Sequence, residues 1–181
     1  KLIIKNNLNN SKVFFINFGS SSGLDLLYFK EKFNEINYIS SDINSEIIDF
    51  QKKNTFKNIP EIDYFIGSVE EVIENIKIKF QNNSEIEIIF FANATIQYVV
   101  PEFLEKKFEN LMGMKNKFYF CNSEQFRKNN KKEISFHVKN ILWHHDLRKY
   151  VEKYKFKINF YKVQDSGKDR FNQNQNLIFS N

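Results

Sequence analysis

The residues with the most chemistry to offer stand between Val13 and Asp25, which read VFFINFGSSSGLD. An apolar run ends in Asn17-Phe18-Gly19, passes through Ser20, Ser21 and Ser22 to Gly23, and opens a helical pattern. A strand that turns through small residues into a helix start lets the backbone approach a ligand and presents N–H groups to it, as a nucleotide cradle does. About twenty residues further on, Asp42 closes a second apolar run, a separation that suits a carboxylate accepting hydrogen bonds from two ribose hydroxyls. Asp42 starting a turn or capping a helix is the plainer alternative. Ser68 and Val69 follow a third run, and Asn93 closes a fourth. Ser68 with the Val69 amide suits an adenine edge, and the Val69 side chain its face. Ser68 also reads as a helix N-cap, and the two roles are compatible. Near the end, Trp143-His144-His145-Asp146 reads as the opening of a helix. An imidazole of unperturbed pKa about 6.5 can take a proton from a hydroxyl. Adjacent residues diverge on a helix, so His145 is the first choice as base and His144 the second. Capping or exposure to solvent is the alternative for both. His137 ranks below them, and the three histidines lack the spacing of a metal motif such as H-E-x-x-H.

These residues need a scaffold, and the hydrophobic pattern supplies one. Strands are expected at Lys12–Phe18, Asn37–Ser41, Ile62–Ile66, Glu85–Phe91 and Lys117–Cys121. Helices are expected at Leu24–Phe33, Asn44–Asn54, Val69–Phe80, Pro101–Leu111 and about Trp143–Tyr154. Leu24, Leu27, Tyr28 and Phe33 are placed on one face of the first helix. Ile47, Ile48 and Phe50 face inward on the second, and Phe103, Leu104, Phe108 and Leu111 on the fourth. Asn122–Asn140 is polar and aperiodic, and is assigned to the acceptor side of a site. The chain closes with strands at Phe156–Gln164 and Asn176–Ser180 joined through Asp165-Ser166-Gly167, a hairpin signal. Repeated βα units followed by a hairpin imply an α/β fold with a mostly parallel sheet and one antiparallel insertion. In such a sheet, ligands bind beyond the carboxyl ends of the strands, where all the residues named above fall.

Composition narrows the classes. A chain of 181 residues, 41% hydrophobic and 17% aromatic, builds one domain with a substantial core, so residues 1–181 read as a single unit. Lys1 is not a start methionine, which allows for a missing N-terminal segment. The net charge of +5 permits an acidic partner, but lysines are interleaved with glutamates. The one dense run, Lys128–Lys132, reads as a solvated loop, which disfavours nucleic acid. A single cysteine, Cys121, rules out an internal disulfide framework and a thiolate cluster within one chain. No stretch reaches the roughly 20 apolar residues of a membrane helix, and a cytoplasmic domain is the expectation. The oligomeric state is not legible.

Taken together, the motifs resemble those of class I S-adenosylmethionine-dependent methyltransferases. INFGSSSG resembles their glycine-rich loop, with Gly19 and Gly23 on the outer glycines and Asn17, Ser20 and Ser21 beside them. YISSDI resembles the second motif, which implies Asp42 as the ribose acid with Ile43 next to it. YFIGSVEEV resembles the third and implies Ser68 and Val69 at adenine. IIFFANATIQYV resembles the fourth-strand segment, implying Asn93 and Gln97 at the methionine end or the acceptor, with Tyr98 and Trp143 as stacking aromatics. The resemblance covers Lys12 onward and implies a three-layer α/β sandwich, with a seven-stranded, mostly parallel sheet whose antiparallel strand lies in the C-terminal hairpin. It implies S-adenosylmethionine as cofactor and a small-molecule acceptor. The histidine pair and a looser similarity to bacterial surface-glycan methyltransferases suggest O-methylation of a sugar or other hydroxyl. Two positions depart from the family: Asn17 stands where an acid is usual, and Ser21 where the middle glycine is. An amide carbonyl still accepts from an ammonium without a formal charge, and a serine at the middle position resists positive φ.

Three other readings compete. A nucleic-acid methyltransferase acting on base amino groups would carry an Asn-Pro-Pro-Tyr type motif where this chain has ANAT. A nicotinamide dehydrogenase shares the loop and the acid, but Tyr150 and Lys153 are one residue too close for a Tyr-x-x-x-Lys pair. A non-catalytic domain of the same fold is the third, kept open by the two departures.

Overall fold

The computed structural model describes residues 12–126, 135–138, 142–165 and 173–181. Among these residues, seven strands form one mostly parallel sheet, and five α-helices accompany it. The strands are β1 (Val13–Phe18), β2 (Asn37–Asp42), β3 (Ile62–Ile66), β4 (Glu87–Asn93), β5 (Phe118–Phe126), β8 (Lys157–Asp165) and β9 (Gln173–Ser180), in the order β3-β2-β1-β4-β5-β9-β8. β1 pairs parallel with β2, and β2 with β3. β9 lies antiparallel to both β5 and β8, which is the expected closing hairpin. Residues 166–172, including the Ser166-Gly167 turn, lie outside the described residues, as do Lys1 and Lys128–Lys132. The helices are α1 (Leu24–Lys32), α2 (Ser45–Phe50), α3 (Val69–Phe80), α4 (Pro101–Met112) and α5 (Leu147–Lys153). No helix among the described residues is long and apolar enough to cross a membrane.

Packing divides the chain into two compact units. The first comprises Lys1–Phe91 with Lys115–Phe118, and the second Ala92–Met114 with Tyr119–Asn181. In the first, β1 is a nearly continuous apolar run because it is covered on both faces. Phe15 packs against Phe29 of α1 and Phe91 of β4, and Phe18 stacks on Phe90. Helix α3 buries Val69, Val72, Ile73, Ile76 and Phe80, the i, i+3, i+4, i+7 stripe of an amphipathic helix. On α1 the buried residue is Leu26, whereas Leu24 and Tyr28 are exposed, which corrects the expected face. Phe50 and Phe103 are likewise exposed where burial was expected. Asn44 caps α2 as expected, its side chain accepting from the Glu46 N–H. The helix then widens into a π-helical turn over Gln51–Thr55.

In the second unit, α4 begins with Pro101, which suits a first helical turn. Its buried stripe is Leu104, Lys107, Phe108 and Leu111, so a lysine occupies a core position. Phe108 stacks on Tyr150, Tyr154 and Phe179 at centroid distances of 5.3, 5.5 and 5.5 Å. The described parts of the polar stretch after Cys121 are strands. β5 continues to Phe126, and β6 (Ser135–Val138) pairs antiparallel with β7 (Leu142–His145) as a separate two-stranded sheet. Trp143, His144 and His145 are therefore strand residues, and the helix starts only at Leu147. Aromatic and imidazole side chains lose rotamer freedom in a helix and fit a pleated strand better.

Phe108 ties α4, α5 and β9 through its stacks. Phe108→Ala should cost about 3–5 kcal/mol, read from urea unfolding midpoints. A loss under about 1 kcal/mol would mean that the ring is not packed tightly between these elements.

Candidate functional site

The first unit carries the loop. Gly19, Ser21 and Gly23 have φ of 54, 49 and 81°, so every second residue is left-handed. Two are glycines, as such backbone favours. Ser21 adopts the conformation despite its Cβ, contrary to the expectation that serine would resist it. Gly23 is also required by space: a Cβ there would lie 2.7 Å from the Phe56 ring. The loop is anchored by Ser20 N–H to Ser41 C=O (2.9 Å) and Gly23 N–H to Ser20 C=O (2.8 Å).

Asp42, at the end of β2, joins the parts. Its Oδ2 accepts from Ser21 N–H at 3.1 Å and its Oδ1 from Asn44 N–H at 3.0 Å. Its main-chain oxygen accepts from Gly67 N–H at 3.0 Å. Ser21 belongs to the loop after β1 and Gly67 to the corner after β3. A carboxylate has about four acceptor positions, and these two N–H groups occupy two of them on a residue that is 9% exposed. Ile43 beside it is 74% exposed, an apolar side chain presented outward next to the acid. A concavity of about 320 Å³ opens against the loop, lined by Ser21, Ser22, Asn44, Glu46, Ile47 and Phe50. That volume is at the lower end for small-molecule sites.

Asn17 is buried on β1 just before the loop. Its main-chain oxygen accepts from the Ser41 hydroxyl, and its Nδ2 has no hydrogen-bond partner among the described residues. Ser68 forms a capping box with Glu71, each side chain bonded to the other's backbone N–H, so its helix-cap role is realised. Val69 is buried.

The sequence did not single out Gln51. It is fully buried, donates from Nε2 to Ser20 Oγ (2.8 Å) and Ser21 C=O (2.6 Å), and accepts from Ser40 Oγ (2.6 Å).

The second unit holds Asn93, Gln97, Tyr98, Trp143, His144 and His145. Asn93 ends β4 and is exposed, as is Tyr98. Gln97 is buried, its Nε2 donating to Ala94 C=O at 3.2 Å. The Ala94–Val99 turn is built on Glu124, which the sequence also did not reveal. Glu124 accepts from the N–H groups of Thr95, Ile96 and Gln97 at 2.8, 2.7 and 3.4 Å. Ala94 is held at φ 53° with its N–H on Ser123 C=O. Burial pushes the Glu124 carboxyl above and the Lys107 ammonium below their ordinary ranges. Lys107 Nζ lies 4.3 Å from the Phe120 ring centroid, with no hydrogen-bond partner among the described residues.

His145 is 2% exposed and sits at the other end of that turn. A carbonyl only accepts, so its Nε2–H donates to Val99 C=O at 2.8 Å. Nδ1 must then accept from the Ser135 hydroxyl at 2.6 Å. The neutral tautomer is fixed and both nitrogens are engaged. That arrangement has His145 holding the Val99 C=O and the Ser135 hydroxyl together. Trp143 lies on the same side of β7 and stacks on the His145 ring, while His144 is buried. His137 pairs with Trp143 in the strand ladder. Among the described residues, no group of three or more His, Cys, Asp or Glu is placed to hold a metal.

No protein-family model matches the chain, and no curated protein matches it in sequence. Solved structures do match in fold. The methyltransferase domain of bacterial CtHen1-CN superposes with a TM-score of 0.62 at 14% identity, over 95% of this chain and 91% of that one. A SAM-dependent methyltransferase from Aquifex aeolicus gives 0.63 at 12% identity, over 99% and 87%. Geranyl diphosphate C-methyltransferase from Streptomyces coelicolor A3(2), solved with Mg2+, geranyl diphosphate and S-adenosyl-L-homocysteine, gives 0.67 at 8% identity, over 98% and 78%. The chain thus has the class I methyltransferase fold.

Burial pushes the His145 pKa down to about 4, outweighing the hydrogen bond to Val99, which raises it. The unfolded chain takes up a proton first, near pH 6.5, so this contribution to stability is complete above 6.5 and is lost as pH falls toward 4. Glutamine does not titrate. The stability gap between wild type and His145→Gln should therefore shrink by about 2 kcal/mol between pH 7 and pH 4.5, measured from urea midpoints at each pH. A constant gap would refute the neutral, pinned imidazole.

Proposed function

We propose that this protein is an S-adenosylmethionine-dependent methyltransferase acting on a small-molecule acceptor. The observation that carries the reading is the Asp42 carboxylate, which fixes the loop through Ser21 N–H and keeps acceptor capacity for a ribose. The shared fold with methyltransferases supports it, and one of those relatives was solved with S-adenosyl-L-homocysteine.

The loop residues fit the cofactor in kind. Gly19, Ser20, Ser21 and Gly23 supply a small-residue cradle, Asp42 the ribose acceptor, and exposed Ile43 an apolar surface beside it. The unpartnered Asn17 Nδ2, a donor, suits the carboxylate of the amino-acid end. Ser68 and Val69 stand at the corner after β3, and Asn93 at the end of β4. Bound S-adenosylmethionine supplies an electrophilic methyl group on a sulfonium. Transfer of that kind depends mainly on alignment and close approach of the acceptor. Gln97, Tyr98 and Trp143 are assigned to the acceptor side, where the Glu124-held turn keeps Gln97 and Tyr98 in a fixed backbone. A sugar or other hydroxyl is the acceptor class we favour, with His145 holding Val99 and not removing the proton. The same reading takes residues 1–181 as one domain and the cytoplasm as its location.

Calorimetric titration with S-adenosylhomocysteine and, separately, with NAD tests this. Binding of the first and not of the second is expected. Asp42→Ala should weaken S-adenosylhomocysteine binding by at least about tenfold, the usual effect of losing a hydrogen bond to a charged acceptor. Absence of binding at millimolar levels, or preference for NAD, contradicts the proposal.

A further inference from the structure

We propose that Gln51 is a positioning residue for the cofactor loop. It holds Ser21 in the left-handed conformation that the middle of the loop needs and that a glycine would take unaided. The inference rests on reading the loop as the S-adenosylmethionine cradle.

Left-handed backbone brings Cβ too close to the following carbonyl, a cost that Gly19 and Gly23 avoid and Ser21 bears. Such a residue persists where its surroundings over-determine it. The peptide groups of Ser21 are held on both sides. Its N–H donates to Asp42 Oδ2, and its C=O accepts from Gln51 Nε2 at 2.6 Å. Because Ser21 C=O can only accept, the Gln51 amide has one orientation. Its second N–H goes to Ser20 Oγ, and its Oε1 takes the Ser40 hydroxyl. Gln51 is fully buried and both its amide nitrogen and its amide oxygen are hydrogen-bonded, so the bond to Ser21 belongs to a connected network.

The backbone around Gln51 is equally specific. Phe56 N–H bonds to Gln51 C=O at 2.8 Å, the i to i+5 step of a π-turn. The turn directs Gln51, Thr55 and Phe56 toward the loop together. Thr55 Oγ1 donates to Ser22 C=O at 2.6 Å, and the Phe56 ring fills the space beside Gly23. One irregular turn thus touches the four consecutive loop residues Ser20 to Gly23.

The test is a cycle of Gln51→Met, Ser21→Gly and the double variant, each read by S-adenosylhomocysteine affinity in calorimetry and by urea midpoint. Gln51→Met should lose about tenfold or more in affinity. Ser21→Gly supplies the second background in which the effect of Gln51→Met is read. In the double variant Ser21→Gly should restore most of the lost affinity, because glycine needs no support. Gln51→Glu removes the donor at similar size and should behave like Gln51→Met. If Ser21→Gly rescues nothing, Gln51 merely fills the core and the proposal fails. If Gln51→Met does not fold, the double variant must fold for the proposal to stand. If wild type does not bind S-adenosylhomocysteine, the cofactor reading fails by itself. The midpoints then decide about Gln51: Ser21→Gly must recover the Gln51→Met loss, and purely additive midpoints overturn the inference.

Discussion

The hydrogen bond from Ser21 N–H to the Asp42 carboxylate is the constraint on which the rest of the first unit depends. It joins the loop after β1 to the end of β2, while the main-chain oxygen of the same aspartate takes the Gly67 N–H after β3. Three parallel strands are thereby tied together at their carboxyl ends by one residue. Parallel strands in register bring these ends side by side, and Asp42 lies opposite Ile66 in the β2–β3 ladder. The acid that suits a ribose is also the acid that shapes the loop. The binding role proposed for Asp42 is therefore coupled to its structural one, and the contacts of Gln51 give the loop a second support.

The second unit solves a similar problem with different residues. A short turn after β4 is fixed at one end by a buried carboxylate and at the other by a buried neutral imidazole. Three backbone N–H groups converge on Glu124, a number that favours the ionised form while burial disfavours it. Tyr98 projects from a backbone that is rigidly held, although the side chain itself is exposed. Buried polar groups of this kind limit the conformations that a segment can adopt.

Much of this was legible in the sequence where a residue type answers a local backbone demand. The glycines at 19 and 23, the caps at Asn44 and Ser68, and Pro101 at the start of α4 each announce themselves through what the chain must do there. The strands also read well, because buried parallel strands are apolar runs. What stayed hidden depends on distant partners. Gln51 has no periodicity to mark it; its role comes from a π-turn that aims it at residues thirty positions away. Lys107 sits in an otherwise apolar helical stripe and reads as a surface lysine. The pair His144 and His145 suggested a helix start because a helix does follow, yet the residues before Asp146 pair with β6, a four-residue strand set in an otherwise polar stretch. Ser21 shows the limit most clearly. Its type argues against positive φ, and only the hydrogen bonds on both sides explain why the loop adopts it.

The Gly19–Gly23 loop, held by Asp42, is where we propose that the cofactor binds. Amide hydrogen exchange with and without S-adenosylhomocysteine tests this without knowledge of the acceptor. Exchange should slow at residues 19–24 and at 42–44 when the nucleoside is added, because binding would hold closed the bonds that anchor the loop. Unchanged exchange over both segments at saturating nucleoside, or protection confined to residues outside them, would contradict the account.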